Sequence, residues 1–142
     1  MQFEASTQIS APSAAVFLLY ADVSGWPTWD PDVKTASVVG PFVSGAKGMN
    51  VPNGGPKSKI VFTEVVKNKK FTAQCKLPLC TMRFEHELTE TKGSGTEATH
   101  RVIFHGFSAP LFGRLIGSGM RKTLPNALAG LKRAAEAKAA AF

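Results

Sequence analysis

Two alternating segments joined by a glycine-rich turn constrain the fold of this chain more than any other feature. Residues 81–88 alternate strictly between an apolar face that includes His86 and a polar face, which is typical of a half-buried β-strand. Residues 96–107 alternate in the same way after the turn at 92–95, so the two segments are predicted to form a β-hairpin. The expected register places His100 opposite His86.

This imidazole pair is the first functional lead in the sequence. Imidazoles among Phe, Met and Leu side chains are costly to bury unless they are hydrogen-bonded. The inner face therefore either contains a satisfied polar pair or lines a cavity that a polar group enters. His105 has the opposite parity to His100 and is expected to face outward.

The remaining strands follow from the same two-residue period and from Gly, Pro and Asn residues between the segments. We predict strands over residues 2–9, 33–39, 46–51, 58–66, 70–77, 81–90 and 96–107. After the first strand, a helix is predicted with Ser10 as its N-cap and Pro12 in its first turn. Residues 22–31 contain too many Gly and Pro residues for more than a short helical turn or a loop.

The last segment of the chain is predicted to form a long helix that covers the concave face of the sheet. Its apolar residues recur at three- and four-residue steps: Leu111, Phe112, Leu115, Ile116, Met120, Leu124, Leu128 and Leu131. Pro125 is expected either to kink this helix or to remove a hydrogen bond near Arg121. The predicted fold class is α+β, a curved antiparallel sheet of about seven strands wrapped around a long C-terminal helix. We expect one domain over residues 1–142, with one or two short helices after the first strand.

Composition narrows the class of protein. The 142 residues are 44% hydrophobic, and their formal net charge is +7. The basic residues are dispersed rather than interleaved with aromatic residues, so nucleic acid is not an expected partner. Neither an integral membrane segment nor a leader is expected, because no apolar run approaches the roughly 18 residues of a membrane span and the N-terminus has no basic start. A cytoplasmic location follows by default.

The two cysteines do not suggest a metal site. Cys75 and Cys80 flank the turn between two predicted strands, and no second pair with zinc-type spacing accompanies them. We expect buried, reduced thiols that could lie opposite one another across the two strands. Neither a metal nor a cofactor is predicted.

Several motifs resemble those of the START-like helix-grip superfamily, also called SRPBCC, and of its polyketide cyclase/dehydrase-like branch. The most specific is the Trp-Pro-x-Trp-Asp segment after the first helix. The resemblance rests on residues 9–12 with Val16 and Phe17, residues 23–31, Phe42 with Gly45 and Gly48, and residues 84–86 with 99–101. It implies an elongated hydrophobic cavity between sheet and helix that binds lipids, polyketides, sterols or other apolar small molecules. It does not imply a reaction.

The predicted ligand-binding residues combine apolar bulk with polar groups, which is typical of ligand pockets. They are Trp26, Met49, Met82, Phe84, His86, His100, Phe104, Phe112, Leu115, Ile116 and Met120. On their own the apolar side chains favour a solid core, and the histidine pair is what favours a pocket. Trp26 and Trp29 could close one cavity mouth or anchor their Pro-rich turn, and for Trp26 both interpretations stay open. Trp29 is interpreted as an anchor of its turn, and Asp30 as an exposed turn or cap residue.

Three functional hypotheses follow. The first is a module that binds a hydrophobic or amphipathic small molecule, lipid-like or polyketide-like, under the C-terminal helix. The second is a cyclase- or dehydrase-type enzyme with His86 and His100 as its catalytic acid–base pair. Arg83 and Arg101 have outward parity, so they do not supply the polar pocket groups of related cyclases. The third is an interaction or accessory protein, and a homodimer is compatible with exposed strand edges.

Overall fold

A seven-stranded sheet and a C-terminal helix form the framework of the protein. The structure is a computed structural model that describes residues 1–140, so the last two residues of the predicted domain lie outside the described range. In chain order the elements are β1 (Gln2–Ile9), α1 (Ser13–Ala21), a 3₁₀ helix (Val23–Thr28), β2 (Val33–Val38), β3 (Lys47–Pro52), β4 (Ser58–Val66), β5 (Lys70–Leu77), β6 (Cys80–Thr91), β7 (Gly95–His105), α2 (Ala109–Leu115) and α3 (Gly117–Ala140).

The sheet is antiparallel, with the strand order β1-β7-β6-β5-β4-β3-β2. It curls around α3, which contacts β1, β7 and α1. This is the predicted helix-grip fold. Among residues 1–140, no helix is long and apolar enough to cross a membrane.

The register of the predicted hairpin is confirmed. His86 pairs with His100 in the β6–β7 ladder, and Phe84 pairs with Val102. His105 is exposed, as expected. On the outer face, Arg101 forms ion pairs with Glu4, Glu85 and Glu87.

The structure corrects one predicted helix end and divides one predicted helix. Pro12, not Ser10, occupies the N-cap of α1, and no side chain caps that helix. The main-chain N–H of Ser10 instead donates a hydrogen bond to Glu136 at 2.8 Å. The predicted C-terminal helix is divided into α2 and α3 at Ile116, whereas Pro125 lies inside α3.

The division at Ile116 has a packing cause. A Cβ atom at Gly117 would lie 2.3 Å from the Phe3 ring, so glycine lets α3 begin this close to β1 without a shift of that ring. α2 rests on its small residues, Ala109 and Gly113, which are buried. The leucines of this segment consequently face away from the core.

The cysteines are buried and free. They do not lie opposite one another as predicted, since Cys75 pairs with Met82 and Cys80 pairs with Leu77. Because the two-residue turn pairs Leu77 with Cys80, the two cysteines are offset by two pairs along the β5–β6 ladder. Burial raises the pKa of Cys75 to about 11, and the neighbouring Cys80 adds to this increase.

Candidate functional site

A cavity of about 440 Å³ lies between the concave face of the sheet and α3. Apolar side chains of β4, β5, β6 and α3 form much of its wall. Polar side chains come from residues 30–32, from β3 and from the pair on β6 and β7. The lining residues central to the site are Asp30, Asp32, Val33, Asn50, Ile60, Met82, Phe84, His86, His100, Ile116, Met120, Thr123, Leu124 and Ala127.

A smaller recess of about 110 Å³ adjoins this cavity. The two spaces share six lining residues, which include Asp30, Asn50 and His86. The recess adds both tryptophans and Phe71 to the lining. Together the spaces form one site with a wide apolar part and a narrow polar end.

The structure brings most of the predicted ligand-binding residues to this site. Met82, Phe84, His86, His100, Ile116 and Met120 line the cavity, and Trp26 lines the recess. Four predicted residues lie elsewhere: Met49, Phe104, Phe112 and Leu115.

The structure explains why each of these four residues lies outside the cavity. In β3, Asn50 lines the cavity, so its neighbour Met49 has the opposite parity. Phe104 is buried beside Phe3, with 6.4 Å between ring centroids. Phe112 packs against the core outside the cavity. Leu115 is 67% exposed because the small residues of α2 face inward.

The histidine pair combines one satisfied and one unsatisfied imidazole. The ring centroids of His86 and His100 are 4.6 Å apart. The Nε2 atom of His100 lies 2.8 Å from the hydroxyl of Tyr20, in a buried hydrogen bond. His86 stacks on Phe71 at 3.9 Å, and its buried Nδ1 has no hydrogen-bond partner among residues 1–140.

Burial keeps this cluster uncharged near neutral pH. It lowers the pKa of His86 to about 4, an effect that the nearby main chain of Phe71 and Phe84 partly offsets. Burial, and next the proximity of His86, lower the pKa of His100 well below its usual value. Burial raises the pKa of Tyr20 far above its usual value. The imidazoles therefore act as neutral hydrogen-bonding groups.

Asp30 is the acidic group of the site. Its Oδ1 accepts a hydrogen bond from the Asp32 N–H at 2.9 Å, which fits the predicted turn role. The segment is not exposed as expected, because Trp29 is buried and Asp30 lines both the cavity and the recess. Burial raises the pKa of Asp30 to about 6, which the Asp32 N–H opposes and the Asp32 charge reinforces.

The two tryptophans are held differently. Trp26 is the anchored one: its Nε1 donates to the Tyr20 carbonyl at 3.0 Å, and its ring stacks near Phe71. The buried Nε1 of Trp29 has no partner within the described range. The unpartnered donor therefore belongs to Trp29.

Three buried side-chain polar atoms lack a hydrogen-bond partner in residues 1–140: Trp29 Nε1, Asn50 Oδ1 and His86 Nδ1. All three side chains line the same recess. Buried polar groups in folded proteins are normally paired, so their convergence indicates a place for a polar group of a ligand or for ordered water. Over the same residues, no group of three or more His, Cys, Asp and Glu side chains is placed to hold a metal ion.

Comparison with known proteins agrees with this architecture. Residues 1–136 match the family model described as polyketide cyclase / dehydrase and lipid transport. The chain belongs to this family. No curated protein matches the sequence significantly.

Solved structures of low sequence identity share the fold. A protein of Thermus thermophilus is 17% identical, with a TM-score of 0.75 and coverage of 97% of this chain and 99% of that one. Truncated norcoclaurine synthase from Thalictrum flavum is 12% identical, with a TM-score of 0.72 and coverage of 94% and 91%. The di-domain ARO/CYC BexL from the BE-7585A biosynthetic pathway is 15% identical, with a TM-score of 0.76. The match covers 96% of this chain but only 46% of BexL.

Proposed function

We propose that this protein binds a largely apolar small molecule that carries at least one polar group, in the cavity between the sheet and α3. The observation that carries the proposal is that one recess of that cavity is lined by three side chains, each of which has a buried polar atom without a hydrogen-bond partner in residues 1–140. Membership of a family described by cyclase, dehydrase and lipid transport functions supports the same class of ligand.

The chemistry of the lining specifies the ligand further. Trp29 supplies an N–H donor, Asn50 supplies an oxygen acceptor, and His86 supplies a nitrogen whose role depends on its tautomer. A pure hydrocarbon would leave these groups unpaired, at a cost of about 1–3 kcal/mol each. The ligand therefore has both hydrogen-bond donor and acceptor atoms at one end and an apolar body at the other.

The binding proposal is tested by filling the cavity. Thr123 lines the cavity from α3, whereas Ala137 is exposed on the same helix. We expect wild-type protein and the Ala137→Phe control to bind the neutral dye Nile red saturably, and Thr123→Phe to lose this binding. Native mass spectrometry of freshly purified wild-type protein should also show a bound small molecule that contains oxygen or nitrogen. Saturable binding by Thr123→Phe, or its loss in the control, would contradict the proposal.

One observation favours a second candidate function, a cyclase- or dehydrase-type enzyme. Asp30, with a pKa of about 6, and the uncharged His86 line the same recess, which suits proton transfer near neutral pH. His100 is less suited to the predicted catalytic pair, because its Nε2 is occupied by Tyr20. If a reaction is found, Asp30→Asn should abolish it while binding persists. An interaction role is less favoured, since the space beneath α3 is open.

A further inference from the structure

The short helix α2 directs both of its leucines toward solvent. Ala109 and Gly113 form its buried face, and a Cβ atom at Gly113 would lie 2.3 Å from the Met1 sulfur. Leu111 and Leu115 are exposed. Phe112 packs against the core, but the two leucines do not, whereas a typical surface helix turns its leucines inward.

Four exposed side chains form what we call the apolar tip. They are Leu79 (72% exposed), Phe107 (90%), Leu111 (58%) and Leu115 (67%). The hairpin turn before β6 and the segment before α2 are joined here, because the Ser108 N–H donates to the Leu79 carbonyl at 3.1 Å. Leu111 and Leu115 are four residues apart in α2 and share one side of the helix, and Phe107 lies in the turn that leads into it. Clustered exposed apolar residues mark an interaction surface rather than ordinary protein exterior.

The surroundings of the apolar tip are basic. Neither residues 65–84 nor residues 98–135 contain an Asp or a Glu. The exposed cations near the tip are Lys76, Arg114, Arg121 and Lys122. None of them forms an ion pair in the described part of the chain.

We propose that the apolar tip docks on the surface of an anionic lipid bilayer. Leu and Phe side chains enter the boundary between headgroups and acyl chains, while Lys and Arg side chains remain near the lipid phosphates. Charge decides between this partner and a second copy of the chain. Two copies meeting tip to tip would bring two basic surfaces together, whereas an anionic membrane complements both the apolar and the charged features.

The test is co-sedimentation with vesicles. Wild-type protein should sediment with vesicles of phosphatidylcholine and phosphatidylglycerol, and less with phosphatidylcholine alone. Raising the salt concentration should weaken the binding, since exposed charges are screened. The triple variant Phe107→Ser, Leu111→Ser, Leu115→Ser should lose binding by about tenfold or more. The charge variant Arg114→Glu, Lys122→Glu should lose it similarly.

A matched control removes exposed apolar residues elsewhere. Val39 and Val43 lie in the β2–β3 connection and are also exposed. The variant Val39→Ser, Val43→Ser should sediment with anionic vesicles like the wild type. Absence of vesicle binding, equal binding to uncharged vesicles or full binding by the triple variant would overturn the proposal. A dimer that forms in sedimentation velocity, is lost in the triple variant and is not accompanied by vesicle binding would also overturn it. Each outcome is independent of Nile red binding in the cavity.

Discussion

At the scale of single residues, the hydrogen bond between Tyr20 and His100 joins the first helix to the floor of the cavity. It is 2.8 Å long and buried. Tyr20→Phe keeps the aromatic ring but leaves His100 Nε2 without its partner. We expect the free energy of unfolding, measured in urea, to fall by about 1–3 kcal/mol.

The exposed hydrogen bond between Ser6 and Thr99 provides a control of equal length, 2.8 Å. Ser6→Ala should change the unfolding free energy by less than about 0.5 kcal/mol, because water replaces an exposed partner. Equal losses in both variants would show that the Tyr20 hydroxyl contributes nothing special to the site.

The sequence indicated only part of this chemistry. The pairing of His86 with His100 was predictable, because the two-residue period of a strand fixes which side chains share a face and a short turn fixes the register. The hydrogen bond from Tyr20 to His100 was not predictable, since Tyr20 lies in a helix 80 residues away in the chain. The sequence favours the apolar Met49 over its polar neighbour Asn50 as a residue of the cavity wall. Only the pairing of β3 with its neighbouring strands decides which of the two side chains faces inward.

At the scale of elements, α3 and the segment before β2 touch at one glycine. A Cβ atom at Gly130 would lie 1.7 Å from the Trp29 carbonyl oxygen, a main-chain atom that cannot move alone. Gly130→Ala should therefore lower the unfolding free energy by about 2 kcal/mol or more, despite the better helix propensity of alanine.

Gly119, in the same helix, has open space at its Cβ position. Gly119→Ala should raise the unfolding free energy by about 0.5–1 kcal/mol. If both variants changed the unfolding free energy in the same direction, the close contact at Gly130 would not be what limits that position to glycine.

The elements themselves were predictable to different degrees. The strands could be predicted from the sequence. Alternation and turn residues such as Gly and Pro are signals of only a few residues, and here they agree with the final sheet. The break between α2 and α3 could not be predicted, because apolar residues continue through it at the same three- and four-residue spacing. The break depends on the contact of Gly117 with Phe3, which lies far away in the sequence. For the same reason, the outward direction of Leu115 could not be read from its helical spacing.

At the scale of the whole molecule, groups at the cavity change stability with pH in opposite directions. The pKa values of His86 and His100 are lower in the folded protein than in the unfolded chain, so their effect destabilises the fold as pH falls below about 6.5. The pKa of Asp30 is higher in the folded protein, about 6 against 3.8. Its contribution is present at low pH and is lost as pH rises through about 6.

Asp30→Asn separates these effects, because asparagine keeps the oxygen that accepts the Asp32 N–H. At pH 7.5 the variant avoids a buried charge and should be more stable than the wild type by about 1–3 kcal/mol. This advantage should shrink as pH falls below about 6 and vanish below about 3.8, where Asp30 is protonated in the unfolded chain as well. Urea unfolding of both proteins at pH 7.5, 6, 5 and 4 measures the difference directly. Two parallel curves across this range would show that the Asp30 carboxyl is not desolvated, and would remove it from the polar end of the cavity.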